Sequence, residues 1–181
     1  MFRDRSLVPA EAVRLLALGA LMERERRYGE LATEIRFFTQ RIVGPSLDLL
    51  GSSLELLRIE GLADTVENHA EEEKTLLRIT PQGRTLFQEL MSAQLRAPVN
   101  DVGRLVLLLK LRFLKLLPPD FQEDQLDLLC DVVRTERARA ADLAKEYGDS
   151  AIAEWIRFDV ALSDRRLEWL ESALEDLGVT V

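Results

Sequence analysis

Between Ser46 and Leu62 the chain carries short polar and apolar side chains at helical spacing: Ser46, Asp48, Leu49, Ser52 and Ser53, then Glu55 and Leu56. With Leu47, Leu50, Leu54 and Leu57 turned inward at steps of three and four, these residues form the outer face of an amphipathic helix. Such a face suits duplex DNA. The serine hydroxyls can donate to phosphates or bases, Asp48 and Glu55 can accept from a cytosine amino group, and Leu49 can meet a thymine methyl. No lysine or arginine occupies the first three turns, so the strongest base contact, an arginine forked onto guanine, is absent. Phosphate contacts then fall to flanking cations: Arg36 and Arg41 before this helix, Lys74 and Arg78 after it.

Other reactive side chains lack the company that chemistry needs. His69 is the only histidine and Cys130 the only cysteine, so neither a zinc site nor an intramolecular disulfide can be assembled from them. Cys130 lies in the apolar run Leu128-Leu129-Cys130 and reads as a small buried hydrophobe in a reducing, cytoplasmic setting. Glu71-Glu72-Glu73 is a solvated acidic loop without a preset cation shell, and its charge opposes nonspecific contact with phosphate. There is no glycine-rich phosphate loop, nucleophile elbow or metal-spaced cluster, so no enzyme, cofactor or metal is expected. Trp155 and Trp169, four helical turns apart, could line an apolar cavity for a flat hydrophobic effector or simply fill a dimer core.

The elements that position these residues follow from caps and breakers. Pro9 opens a first helix that runs to about Glu25. Tyr28-Gly29 punctuates the chain before a second helix over Glu30–Gln40, buried through Leu31, Ile35 and Phe38. Gly44-Pro45-Ser46 ends that region, with Ser46 as the cap of the third helix. Strands over Leu62–Glu67 and Thr75–Ile79 flank the acidic loop as a wing, and Thr80-Pro81 starts a fourth helix toward Leu95. Ala97-Pro98 marks a boundary. Three helices follow, over Asp101–Leu117, Phe121–Tyr147 and Ala151–Leu177, with Leu162, Leu167, Leu170, Leu174 and Leu177 along one stripe of the last.

The expected fold is mainly α: a winged helix-turn-helix over residues 1–97, followed by a helical dimerisation domain over 98–181. The second part carries more apolar surface than three helices can cover, which predicts pairing with another copy. Its most apolar stretch, Leu105–Leu117, is broken by Lys110, Arg112 and Lys115 and is too short to span a bilayer, and no secretory leader is evident. The net charge of −8 argues against binding nucleic acid through a broad positive field. Residues 1–97 hold 13 basic against 15 acidic side chains and residues 98–181 hold 11 against 17, so the first half is the one suited to DNA.

Several segments, in order, resemble the PadR family of transcriptional regulators: Leu15–Leu21, Tyr28-Gly29-Glu30-Leu31, Leu54–Leu62 and Leu77–Arg84 in the winged-helix part, then Leu105–Pro119 and Leu167–Leu170 in the helical part. The resemblance implies a homodimeric repressor whose third helices enter successive major grooves, with binding loosened by small aromatic or hydrophobic compounds. Two departures stand out. Gly51 occupies a position where the family usually has tyrosine, and the wing is acidic where such loops tend to be basic. They motivate an alternative, a degenerate winged-helix adaptor that binds protein in place of DNA.

Overall fold

A computed structural model describes residues 6–44 and 50–177, with side chains excepted at residues 50–53. The protein is mainly α-helical, with a small three-stranded sheet that forms a winged helix, followed by a helical hairpin. The chain divides into two compact units, one of Met1–Gln94 with Asn100–Leu116, the other of Leu95–Val99 with Leu117–Val181.

In the first unit, helix α1 spans Pro9–Glu23 and is buried on nearly every side, through Ala12, Val13 and all residues from Leu15 to Leu21. A helix apolar all round belongs at the centre of a core, and here the other helices pack about it. Pro9 takes the first helical position, and the Glu11 carboxylate accepts a hydrogen bond from the Val8 amide at 2.9 Å. Strand β1, Arg26–Arg27, leads directly into helix α2, Tyr28–Ile42, which buries Leu31, Ile35 and Thr39. Helix α3 spans Leu50–Ile59 and turns Leu54 and Leu57 inward as expected; the inward Leu47 and the Ser46 cap fall outside the described residues.

Strands β2, Ala63–Glu67, and β3, Leu76–Ile79, pair antiparallel, with Ala63 opposite Ile79 and Thr65 opposite Leu77. The sheet order is β1-β3-β2. A 3-10 turn at Glu72–Lys74 occupies the connection that the sequence presents as an open loop.

The Thr80-Pro81-Gln82-Gly83 segment closes the wing onto helix α4, Pro81–Met91. Thr80 donates its hydroxyl to the Gly61 carbonyl at 2.7 Å and accepts from the Gly83 amide at 3.0 Å. Gly61 has φ +70°, a conformation that costs glycine little and other residues more. Gly83 lies against the Leu62 carbonyl and Ile79, where a Cβ would collide. The motif is therefore a clasp between the end of α3 and the start of α4.

Helix α5, Asp101–Phe113, is capped by Asn100, whose side chain accepts from the Gly103 amide at 2.8 Å. It belongs by packing with the first unit. The Phe113 ring lies across Gly19 of α1, and meets Phe87 of α4 edge to face at 6.0 Å. The fully buried Lys110 donates through Nζ to the Met91 carbonyl at the end of α4. Arg112 and Arg26 both pair with Glu23 and Glu34, so one ionic network ties α1, β1, α2 and α5.

In the second unit, helices α6, Pro119–Glu146, and α7, Ala151–Asp176, form an antiparallel hairpin. Gly148 at φ +59° makes the turn, and Ser150 caps α7. Ala140, Ala144, Ala153 and Ile156 pack together near it. Further along, Arg137 pairs with Asp164 and Arg134 with Glu171 at 2.8 Å, partners stepping in opposite directions as an antiparallel pair requires. On α7, Leu170 and Leu174 are buried while Leu162, like Leu177 just past the helix end, is exposed, so the single leucine stripe expected there divides between two faces.

Candidate DNA interface

The end of α1, strand β1, helix α2 and the wing turn border an open cleft of about 890 Å³. Arg24, Arg27, Tyr28, Arg36, Phe37 and Lys74 are among its lining residues, with Leu54 of α3 also contributing. Two of the four predicted phosphate contacts, Arg36 and Lys74, thus meet on one surface. Arg41 and Arg78 do not line it. Arg41 stacks its guanidinium 3.4 Å from the centroid of the exposed Phe37 ring and donates to the Phe37 carbonyl at 3.2 Å. Arg78 is exposed on β3, opposite Asp64 of β2. Among the described residues, neither Arg36 nor Arg78 has a carboxylate within ion-pairing distance, so both are available to a phosphate.

Of the expected base-reading residues, Ser46, Asp48 and Leu49 lie outside the described residues. Ser52 and Ser53 fall in the first turn of α3.

Sequence reasoning missed Arg24, Arg27 and Arg58. The first two belong to the dense run Arg24-Glu25-Arg26-Arg27, the one available signal for them. Within that run the roles diverge. Arg26 is largely buried, donating to the Ala20 carbonyl at 3.1 Å and pairing with Glu23 at 2.6 Å, so it holds the fold. Arg24 pairs loosely with Glu30 at 3.6 Å, and Arg27 donates to the Lys74 carbonyl at 2.8 Å. Arg58, on α3, lies 3.1 Å from Glu55 and 3.6 Å from Glu72 of the wing. Tyr28 at the start of α2 has its phenol pKa raised, by burial first and then by Glu72 and Glu55.

The remaining chemical candidates take modest places. The His69 imidazole accepts from the Glu71 amide at 3.4 Å within the wing connection. Cys130 is buried, and burial raises its thiol pKa, which disfavours the thiolate. Among the described residues, no group of three or more His, Cys, Asp or Glu side chains is placed to hold a metal ion, and no helix is long and apolar enough to cross a membrane. Trp155 and Trp169 both stand exposed on α7, and Trp155 meets Phe158 edge to face at 6.4 Å.

The sequence matches, over residues 2–174, the family described as "Putative AphA-like transcriptional regulator". The chain belongs to this family. Membership of the PadR family itself, which the sequence resembles, is not shown. Solved PadR structures are distant in sequence. Bacillus subtilis PadR in complex with operator DNA is 16% identical, with TM-score 0.38, over 90% of this chain and 96% of that one. The same protein with p-coumaric acid is 15% identical, with TM-score 0.39, over 97% and 100%. A PadR-like transcriptional regulator from Bacillus cereus is 18% identical, with TM-score 0.40, over 92% and 98%. Superpositions this loose carry no functional argument. No match is found among curated proteins.

Proposed function

We propose that this member of the AphA-like family is a sequence-specific DNA-binding transcriptional regulator, a dimeric repressor that occludes transcription initiation. Residues 1–97, with α5 packed on them, are its reading part, and the α6–α7 hairpin is its pairing part. The observation that carries the reading is the meeting of Arg36 and Lys74 on the cleft beside α3, in a winged helix of a transcriptional-regulator family. The third helix, with Ser46, Asp48, Leu49, Ser52 and Ser53, reads base edges, while Arg36, Arg41, Lys74 and Arg78 hold phosphates. Two copies related by a two-fold axis address half-sites about one helical turn apart. A small hydrophobic or aromatic effector packs against Trp155 and Trp169 at the seam between the two copies, favouring a spacing of the reading helices that fits no pair of grooves.

A second reading, the protein-binding adaptor, draws on the ion pairs that already occupy Arg24, Arg58 and Lys74. Selection of genomic DNA fragments at about 50 and 200 mM salt separates the two. Retention of particular fragments that weakens with salt supports the regulator, and Arg36→Glu with Arg41→Glu then abolishes it while the helical content stays intact. If no fragment is selected at either salt, the adaptor reading replaces it.

A further inference from the structure

We propose that the acidic turn of the wing is an electrostatic gate over the phosphate-binding rim, holding Arg58 and Lys74 in carboxylate pairs that DNA must displace. The inference rests on the DNA-binding reading and specifies how that site is regulated. The turn is docked rather than free. The Tyr28 amide donates to the Thr75 carbonyl at 2.9 Å, Arg27 donates to the Lys74 carbonyl, and the Glu73 backbone lies so close to Gly29 that a Cβ there would sit 3.2 Å from it. This backbone seat brings the carboxylates to the cations. Glu72 reaches Arg58 at 3.6 Å and Glu71 reaches Lys74 at 2.9 Å, while Glu73 lines the cleft itself.

These pairs are solvent-exposed, and exposed pairs are weak enough to be exchanged. The exchange alters the energetics of binding. A cation that leaves a carboxylate for a phosphate gains much less than one that leaves water, and the released carboxylate then stands near the DNA backbone and repels it. Contact with an arbitrary duplex loses most of its electrostatic gain, because that contact has little besides phosphate to offer. A duplex whose bases also engage α3 retains its further contacts. The gate therefore lowers nonspecific affinity more than specific affinity, in keeping with a DNA-binding half that has no positive excess.

The test compares the full-length protein with Glu71→Gln/Glu72→Gln, which frees Lys74 and releases Arg58 from the wing, leaving it to Glu55 of its own helix. Fluorescence anisotropy against a random-sequence duplex and against a genomically selected fragment is read across about 50–200 mM salt. The variant is expected to bind the random duplex about tenfold more tightly at the lower salt, with the log–log salt slope steeper by about one. Its gain on the selected fragment is smaller. Adding Arg58→Ala and Lys74→Ala to the variant removes the gain. The pair Glu89→Gln/Asp101→Asn makes the same change in net charge on α4 and α5, and leaves the slope unaltered. An unchanged slope in the wing variant, or an equal change in the control pair, overturns the gate while leaving a DNA-selecting wild type as a regulator. If no protein binds any duplex, the DNA-binding reading falls and the gate falls with it.

Discussion

Lys110 illustrates how one side chain can set the pH behaviour of the first unit. It is fully buried on α5, its Nζ donates to the Met91 carbonyl at the C-terminal end of α4, and burial lowers its pKa from 10.5 to about 8. The carbonyl end of a helix favours a cation, but desolvation opposes the charge more strongly. Between pH 8 and 10.5 the unfolded chain holds the proton more tightly than the folded one, so stability rises with pH across that window. At neutral pH the buried charge therefore costs stability, by about 3 kcal/mol at most. Lys110→Met is expected to flatten this dependence, so that urea midpoints of wild type and variant converge as pH rises from about 7 to 10. Parallel profiles would show that Lys110 does not titrate in that range.

Among the elements, α1 and α5 meet where Phe113 covers Gly19, and neither partner has room to give. Alanine normally stabilises a helix relative to glycine by about 1 kcal/mol, yet here its methyl would enter the ring. Gly19→Ala should instead destabilise the protein by about 2 kcal/mol net, with Phe113→Leu recovering part of the loss. Denaturant midpoints measure both, and a midpoint raised by Gly19→Ala would disprove the close approach. This contact also marks the limit of what the sequence discloses. Elements bounded by local chemistry were legible: Pro9 starts α1, Thr80-Pro81 starts α4, and Gly148-Asp149-Ser150 turns between α6 and α7. Strand β1 was not, because two arginines become a strand only by pairing with Leu76 and Leu77, some fifty residues away. Lys110 and Arg112 read as interruptions of an apolar run, whereas one is buried under a carbonyl and the other completes an ionic network. For the cleft, exposed cations beside α3 could be anticipated from position, and Arg36 and Lys74 do line it. The contacts of Arg27 and Arg58 with the wing turn could not be anticipated, since only the fold brings that turn against them.

At the scale of the whole molecule, the proposed pairing must account for the outer face of α7. Trp155, Phe158, Leu162 and Trp169 are 71, 67, 47 and 58% exposed. Their steps of three, four and seven keep them along one side of the helix. An exposed apolar stripe of this kind is costly in water and unusual on a protein that remains single. Covering it with the same stripe of a second copy satisfies both chains at once, because a two-fold interface opposes a surface to itself. The side chains already face solvent, so polar replacements should leave the α6–α7 hairpin folded while weakening association. Trp155→Asn with Leu162→Asn is expected to convert a sedimenting dimer at micromolar concentration into a species of 20.6 kDa, with unchanged helical circular dichroism. Operator affinity should fall in parallel, since two half-sites gripped by linked copies bind far more tightly than either alone. A wild-type chain that already sediments as a single copy would remove the basis for coordinated reading of two grooves, and a variant that still pairs would move the interface away from this face of α7.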